Sequence, residues 1–265
     1  RETGGIPAET CTTCHNRGKR IGVSFTGIME SPYPTPYGPG GEEQPKLHGK
    51  TYTWIQADHH HDPKNRPENP EGAMLCQDCH SSIDVHGDGR VFGTTLAQVE
   101  IECSDCHGTT RAFPWELPIG YMDEFSTDRH DFGPAGEAAR GLAEDPGDAA
   151  REGTLYPREQ GYLLSARGNP LGNVVRRVGG DAKASGGAEQ VIMHSATGVD
   201  LRVPQLKVLH ADGALNEAAE TAMHEVGQHM ERMECYSCHA TWAAQCYGCH
   251  VRFDYRPGQQ GKDWI

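Results

Sequence analysis

The chain has 265 residues, a formal net charge of −13 and a hydrophobic fraction of 36%. Only 41 of the 265 residues are Leu, Val, Ile or Phe. This fraction lies below the roughly 20% under which a highly charged chain is classed as disordered. The acidic charge and the lack of a Lys/Arg cluster argue against binding to nucleic acid or to an anionic membrane surface. The sequence contains no run of 18 apolar residues that could span a bilayer. We therefore expect this chain to fold around something besides its own side chains.

The predicted elements are few and short, because the chain contains 33 Gly and 17 Pro. Residues 1–5 lack the basic and apolar regions of a signal peptide, so we expect a processed chain or part of a longer protein. Residues 31–41 are rich in Pro and Gly and predict an extended loop, and residues 133–152 predict a surface loop. Alternating apolar residues within 162–203 predict a small β-meander, and residues 215–234, rich in Ala, Glu and Met, predict a helix.

The cysteines carry the strongest signal in the sequence. All ten belong to Cys-x-x-Cys-His pentapeptides, a pattern typical of covalent haem attachment. Two thiols three positions apart reach the two vinyl groups of one porphyrin, and the next residue places its imidazole under the iron. The predicted attachment residues are Cys11, Cys14, Cys76, Cys79, Cys103, Cys106, Cys235, Cys238, Cys246 and Cys249, and the predicted proximal iron ligands are His15, His80, His107, His239 and His250.

Two other uses of these cysteines explain the motifs less completely. Zinc ribbons pair two Cys-x-x-Cys units around each metal ion, but five units cannot all be paired, and zinc gives no reason for a His after every unit. A disulfide scaffold also leaves the five histidines unexplained. Five covalently bound haem c groups are the cofactors that the sequence predicts.

On these motifs, which extend over nearly the whole chain, the sequence resembles the multihaem c-type cytochromes. The resemblance implies a multihaem cytochrome c fold, mostly irregular loops and short α-helices wrapped around haems, here with a small β-meander insertion. It also implies export to the periplasm or the cell surface, and electron transfer as the usual role. The acidic chain favours a redox partner that presents a basic docking patch.

Motif spacing divides the chain into three predicted parts. Residues 1–130 form a module with haems 1 to 3, residues 131–210 a haem-free insertion with a loop and the β-meander, and residues 211–265 a helical module with haems 4 and 5. The last two motifs begin only 11 residues apart, so their haems should be neighbours. The second and third motifs form a weak repeat, because each has a His 17 residues before its first Cys and an Asp before its second Cys.

Ten histidines remain as possible distal ligands for at most five irons. His224 and His229, on the predicted helix before the fourth motif, are the first choices and should serve different irons because five helical residues turn by about 140°. The repeat adds His86 and one member of the triplet His59, His60 and His61; a separate metal site at this triplet is a minor alternative. His130 is the fifth candidate, and the reserves are His48, His194 and His210. With ten imidazoles in supply, we expect mostly bis-His ligation rather than Met ligation.

Three functions stay open at this point. The first is an electron-transfer protein with closely spaced six-coordinate haems. The second is a subunit of an extracellular cytochrome filament, or of a larger electron-transfer complex, in which a distal His passes between subunits. The third is a multihaem reductase with one open iron, for which Arg111, Arg129 and Lys207 could line a substrate pocket, although no Cys-x-x-Cys-Lys motif occurs.

Overall fold

The computed structural model describes residues 5–16, 21–31, 46–47, 49–62, 74–80, 89, 99–123, 139–144, 161–178, 189–239, 251–254 and 261–264. The helices in these ranges are short, as expected for a chain rich in Gly and Pro. They lie at Ala8–Thr12, Ile21–Phe25, Cys76–Cys79, Cys103–His107, Leu206–Ala211, Glu217–Glu220, Gly227–Arg232 and Tyr236–His239, with a 3₁₀ turn at Pro114–Glu116 and a π-helical turn at Thr221–Glu225.

The described strands form three antiparallel sheets. The first has the order β1 (Ile28–Glu30), β3 (Lys50–Trp54) and β2 (Lys46–Leu47). The second, here called the meander sheet, contains β4 (Tyr162–Leu164), β5 (Pro170–Arg177), β6 (Gln190–His194) and β7 (Asp200–Val203) in sequential order. The third pairs β8 (Val251–Asp254) with β9 (Gly261–Trp264).

The meander sheet carries the main apolar cluster of the described residues. Its strands alternate, so that Val174 lies opposite Met193, and Met193 opposite Leu201, on one buried face. Met74 and Cys106, from the second and third motif regions, complete this cluster. The segment between the third and fourth motifs therefore packs directly against the motifs that precede it.

The predicted helix over residues 215–234 is helical but interrupted. The Asn216 side chain caps its start by accepting a hydrogen bond from the Ala219 N–H at 2.8 Å. Val226 leaves the helical region with φ −93° and ψ 82°, and a second helix begins at Gly227. The β-branched residues Thr221 and Val226 lower the helix propensity at this point, and so does the glycine that follows Val226.

A buried ion pair ties the third motif to the meander sheet. The Arg140 guanidinium contacts the Asp105 carboxylate, and neither side chain has any solvent exposure. The same guanidinium donates to the backbone carbonyls of Leu164 at 3.0 Å and Pro118 at 3.3 Å. Burial raises the pKa of Asp105 to about 6 although Arg140 acts in the opposite direction, so the carboxyl is ionised at neutral pH.

None of the described helices is long and apolar enough to cross a membrane, which agrees with the hydropathy of the sequence.

Replacing Arg140 by Met should destabilise the protein by about 3–5 kcal/mol, because it leaves the Asp105 carboxylate buried without its counter-ion. Urea unfolding followed by circular dichroism measures this change. The matched control is Arg176→Met, whose pair with Glu189 is 28% and 27% exposed and should contribute about 1 kcal/mol or less. Equal effects of the two substitutions would contradict a structural role for the buried pair.

Candidate haem-binding site

Four of the five motifs lie within the described residues. The second and third coincide with the helices Cys76–Cys79 and Cys103–His107, and the fourth leads into the helix Tyr236–His239. The first begins at Cys11 in the helix Ala8–Thr12. Cys246, Cys249 and His250 of the fifth motif lie outside the described residues.

The second and third motifs share one local geometry, built on the Asp that precedes the second Cys. The Leu75 N–H donates to the Asp78 carboxylate at 2.8 Å, and the Glu102 N–H donates to the Asp105 carboxylate at 2.9 Å. In both motifs the third helical residue thus caps the N-terminus of its own helix. The repeated Asp of the two motifs corresponds to this repeated cap, whereas the other part of the repeat is an exposed His59 and a His86 outside the described residues.

Both carboxylates also bind distant parts of the chain. Asp78 accepts from the Ser195 hydroxyl at 2.7 Å and from the Ala196 N–H at 2.6 Å, in the turn between β6 and β7. Asp105 binds Arg140, as described above. Each motif helix is therefore fixed by one buried carboxylate to elements more than 30 residues away.

The motif cysteines approach one another in space in the order of the chain. Cys11 lies close enough to Cys76 to change the pKa of the Cys76 thiol, and Cys103 lies close enough to Cys235 for each of these two thiols to change the pKa of the other. Cys79 lies close enough to Cys103 and Cys106 for their charges to interact. The third and fourth motifs, 132 residues apart in sequence, are thus neighbours.

Most of these thiols sit in surroundings that oppose ionisation. Burial raises the pKa of Cys79 to about 12 and that of Cys76 to about 11. Interaction between the two thiols raises the pKa of Cys103 and lowers that of Cys235. Reactive nucleophilic cysteines need lowered pKa values, so Cys76, Cys79 and Cys103 do not resemble a thioredoxin-type site.

The described cysteines do not form a zinc site. Among the described residues, only His210, Glu220 and His224 form a group of three metal-ligand side chains whose ligand atoms all lie within 4.8 Å of one another. The eight described cysteines belong to no such group and form no disulfide with one another. A zinc ribbon would require four sulfur or imidazole ligands around one centre.

The proximal candidate His107 is oriented by the backbone. Its Nδ1–H donates to the Pro204 carbonyl at 2.8 Å, which leaves Nε2 as the nitrogen with a lone pair. Gly108, at φ +65°, turns the chain directly after His107, and a Cβ there would lie 2.4 Å from the Ala112 carbonyl oxygen. Of the other proximal candidates, His80 is half-buried, and His15 and His239 are exposed.

The histidine triplet points in several directions. His59 is exposed. His60 donates its Nδ1–H to the buried Asp58 carboxylate at 2.8 Å, and its ring centre lies 6.0 Å from that of His107. Two imidazoles on opposite faces of one haem, with metal–nitrogen bonds of about 2.0 Å and about 1.2 Å from nitrogen to ring centre, have ring centres about 6.4 Å apart. The His60–His107 spacing fits such a pair.

Asp58 keeps its charge at this position. Burial raises the pKa of Asp58, but hydrogen bonds from the ring and the backbone N–H of His60 outweigh that effect and place the pKa below its ordinary value. The ionised carboxylate therefore stabilises the fold at neutral pH, and this contribution is lost only as the pH falls below about 4.

The third member of the triplet, His61, turns to another part of the site. It lines an open cleft of about 270 Å³ together with Ala8, near the first motif, and Leu75, next to the second motif. Its Nδ1 is buried and has no hydrogen-bond partner among the described residues. His61 is thus placed near the first two motifs rather than near His107.

The predicted ligands on the interrupted helix have different surroundings. His229 donates its Nδ1–H to the Ala222 carbonyl at 3.1 Å and lines an open cleft of about 460 Å³ with Glu217 and Thr221. His224 stacks on His210 with ring centres 3.7 Å apart, too close for a porphyrin between them. The reserve His194 is buried in β6 and bonded to Asp200 at 2.7 Å.

The predicted distal ligands His86 and His130, and the reserve His48, lie outside the described residues and stay predictions.

Three features of the site have little or no signal in the sequence. Asp58 orients His60, and the only signal for it was its position two residues before that histidine. The approach of the third and fourth motifs had no signal in the sequence, because it depends on how the chain returns after the meander sheet. The group of His210, Glu220 and His224 has only the four-residue spacing of Glu220 and His224 as a signal, because the reversal at Gly213 brings His210 to them.

Comparisons with known proteins gave no match to any protein-family model, curated protein or solved structure.

Replacing Asp78 by Ala should destabilise the protein by about 3 kcal/mol, because three donors lose a charged acceptor and stay partly buried. Thermal or urea unfolding measures the effect. Ser195→Ala removes one of these bonds and serves as the control, with an expected cost of about 1 kcal/mol. A cost for Asp78→Ala no larger than that of the control would contradict its role as an anchor.

Proposed function

We propose that the chain is an electron-transfer c-type cytochrome that carries five covalently bound, mostly bis-His haems. Each haem supplies a one-electron Fe(III)/Fe(II) couple. The residues that would hold the haems are the five Cys-x-x-Cys-His motifs, and the polypeptide fixes their mutual positions. Covalent haem attachment is consistent with an exported protein.

The observation that carries this proposal is the pairing of His60 with His107. His107 belongs to the third motif, and its Nδ1–H is held by a carbonyl; the Nδ1–H of His60 is held by a carboxylate. In both rings Nε2 is left as the nitrogen able to coordinate a metal. Metal-bound histidines usually show this outer hydrogen bond, which orients the ring and raises its basicity.

The spatial order of the motifs supports a relay. Cysteines of the first and second, second and third, and third and fourth motifs lie close together in successive pairs. Groups attached at these positions would be near neighbours, as stepwise electron transfer requires. The buried carboxylates Asp78 and Asp105 hold the second and third motif helices in place, so the distances between sites would be fixed by the fold.

The reductase alternative lacks such support. Of the three cations that could line its pocket, Lys207 pairs with Glu116 at 2.6 Å, and the Arg111 guanidinium donates to the His224 carbonyl at 3.1 Å. Arg129 lies outside the described residues. The two described cations are therefore engaged in structural contacts.

The charge of the chain bears on its partner. A net charge of −13, to which haem propionates would add, favours rapid association with a basic surface on a redox partner. The rate of such association falls as ionic strength rises.

Replacing His60 by Ala should convert one haem from low-spin to high-spin in the ferric protein and allow one haem to bind CO in the reduced protein, because one iron loses its distal imidazole. Optical and electron paramagnetic resonance spectra measure both changes. The matched control is His59→Ala, which removes the exposed neighbour and should leave the spectra unchanged.

A fully low-spin spectrum in His60→Ala would contradict the axial pair. A high-spin haem in the unmodified protein, with CO binding, would contradict full six-coordination and favour the reductase.

A further inference from the structure

We propose that His210, Glu220 and His224 form a binding site for a divalent transition-metal cation of the Zn²⁺ class, separate from the Cys-x-x-Cys-His motifs. One ligand atom from each of the three side chains lies within 4.8 Å of the others. This site goes beyond the proposed electron-transfer function and does not depend on it.

The chain brings these residues together by a tight reversal between two helices. His210 lies near the end of the helix Leu206–Ala211. The Ala214 N–H then bonds to the Leu209 carbonyl at 2.8 Å, and Gly213 adopts φ +62°, which together end the helix in a Schellman-type cap. The helix Glu217–Glu220 therefore returns alongside and places Glu220 against His210.

A π-helical turn supplies the third ligand. Within Thr221–Glu225 the Val226 N–H bonds to the Thr221 carbonyl, five residues earlier, at 2.9 Å. His224 follows Glu220 by four residues and lies on the same side of this element, stacked on His210 with an angle of 20° between the rings. Single π-helical turns occur frequently at functional sites.

The separations of the ligand atoms are close to those around a bound cation, which would replace the proton shared by His210 Nδ1 and the Glu220 carboxylate. His210 Nδ1 lies 2.8 Å from one Glu220 carboxylate oxygen and 3.1 Å from the other. Ligand atoms around a tetrahedral Zn²⁺, with bonds of about 2.0–2.1 Å, lie about 3.3 Å from one another. The three ligand atoms, all within 4.8 Å of one another, are near this separation.

An outer hydrogen bond fixes the orientation of His224. The Thr110 hydroxyl donates to the Met223 carbonyl at 3.2 Å, so its oxygen accepts from His224 Nδ1–H, also at 3.2 Å. Nε2 of His224 therefore carries the lone pair. Arg111 holds the carbonyl of the same residue at 3.1 Å, so the loop that follows the third motif supports the site.

The ligand set selects the kind of cation. Two imidazoles and one carboxylate suit Zn²⁺ or Cu²⁺, whereas Mg²⁺ and Ca²⁺ prefer oxygen ligands throughout. The His210 and Glu220 side chains are each 30% exposed, so a cation can enter from solvent and keep a water as fourth ligand. Residues 206–225 contain four carboxylates and one lysine, a balance that favours cation binding.

This assignment competes with the prediction that His224 is a distal haem ligand, because one Nε2 cannot coordinate both metals. The neighbours of His224 favour the cation, since His210 and Glu220 together with His224 offer three ligand atoms within 4.8 Å of one another.

The protein as isolated is first freed of adventitious metal with a chelator. It is then titrated with ZnCl₂ in a calorimeter, and bound zinc is counted by elemental analysis. The unmodified protein should bind a Zn²⁺ ion. The zinc affinity of Glu220→Gln and of His210→Ala should be at least tenfold weaker. Glu225→Gln is the matched control, since Glu225 is an exposed carboxylate that bonds Thr221 instead, and it should bind zinc normally. MgCl₂ should not compete.

Equal zinc affinity in Glu220→Gln and the unmodified protein, or no zinc binding at all, would overturn the proposal. His224→Ala should lose the zinc and keep its haem spectrum; a new high-spin haem in this variant would assign His224 to a haem instead. Because zinc is counted independently of haem, failure of this site and failure of the electron-transfer function give different results.

Discussion

A single buried carboxylate within each of the second and third motifs controls how these motifs are held. Asp78 and Asp105 each cap their own short helix and also bind a distant element, the turn at Ser195–Ala196 in one case and Arg140 in the other. A four- or five-residue helix has little stability of its own. The motif geometry therefore depends on these carboxylates and on the meander sheet that surrounds them. Their desolvation is offset because both oxygens of each carboxylate accept from a donor or contact a counter-ion.

The composition of the chain explains why such anchors are needed. Few Leu, Val, Ile and Phe residues are available, and the main described cluster draws on only six positions of the meander sheet together with Met74 and Cys106. On the proposed function, five covalent porphyrins supply the remaining apolar surface around which the loops pack. The buried carboxylates then have a distinct role. Burial of a flat porphyrin face is not directional, whereas hydrogen bonds from fixed donors to a carboxylate are directional.

The sequence predicts the parts of this site that rest on local spacing. The motifs, the repeated Asp and the runs of the meander sheet are all local patterns, and the structure places a helix, a cap or a strand at these positions. The roles of individual histidines could not be predicted in the same way. His59, His60 and His61 are adjacent in sequence, yet one is exposed, one faces Asp58 and His107, and one lines a cleft near the first motif. Likewise, the stacking of His210 on His224 depends on the Gly213 reversal and the π-helical turn, and no periodic pattern encodes either of them.

The central claim is that all five motifs carry covalently attached haem. Its most direct measurement is the intact mass of the chain, produced in cells able to attach haem to exported proteins and measured under denaturing conditions. Haem at all five motifs predicts the mass of the 28.9 kDa polypeptide increased by five haems, with no thiol left to react with an alkylating reagent. A chain with the bare polypeptide mass and ten reactive thiols, from cells that load a control cytochrome c normally, would contradict it.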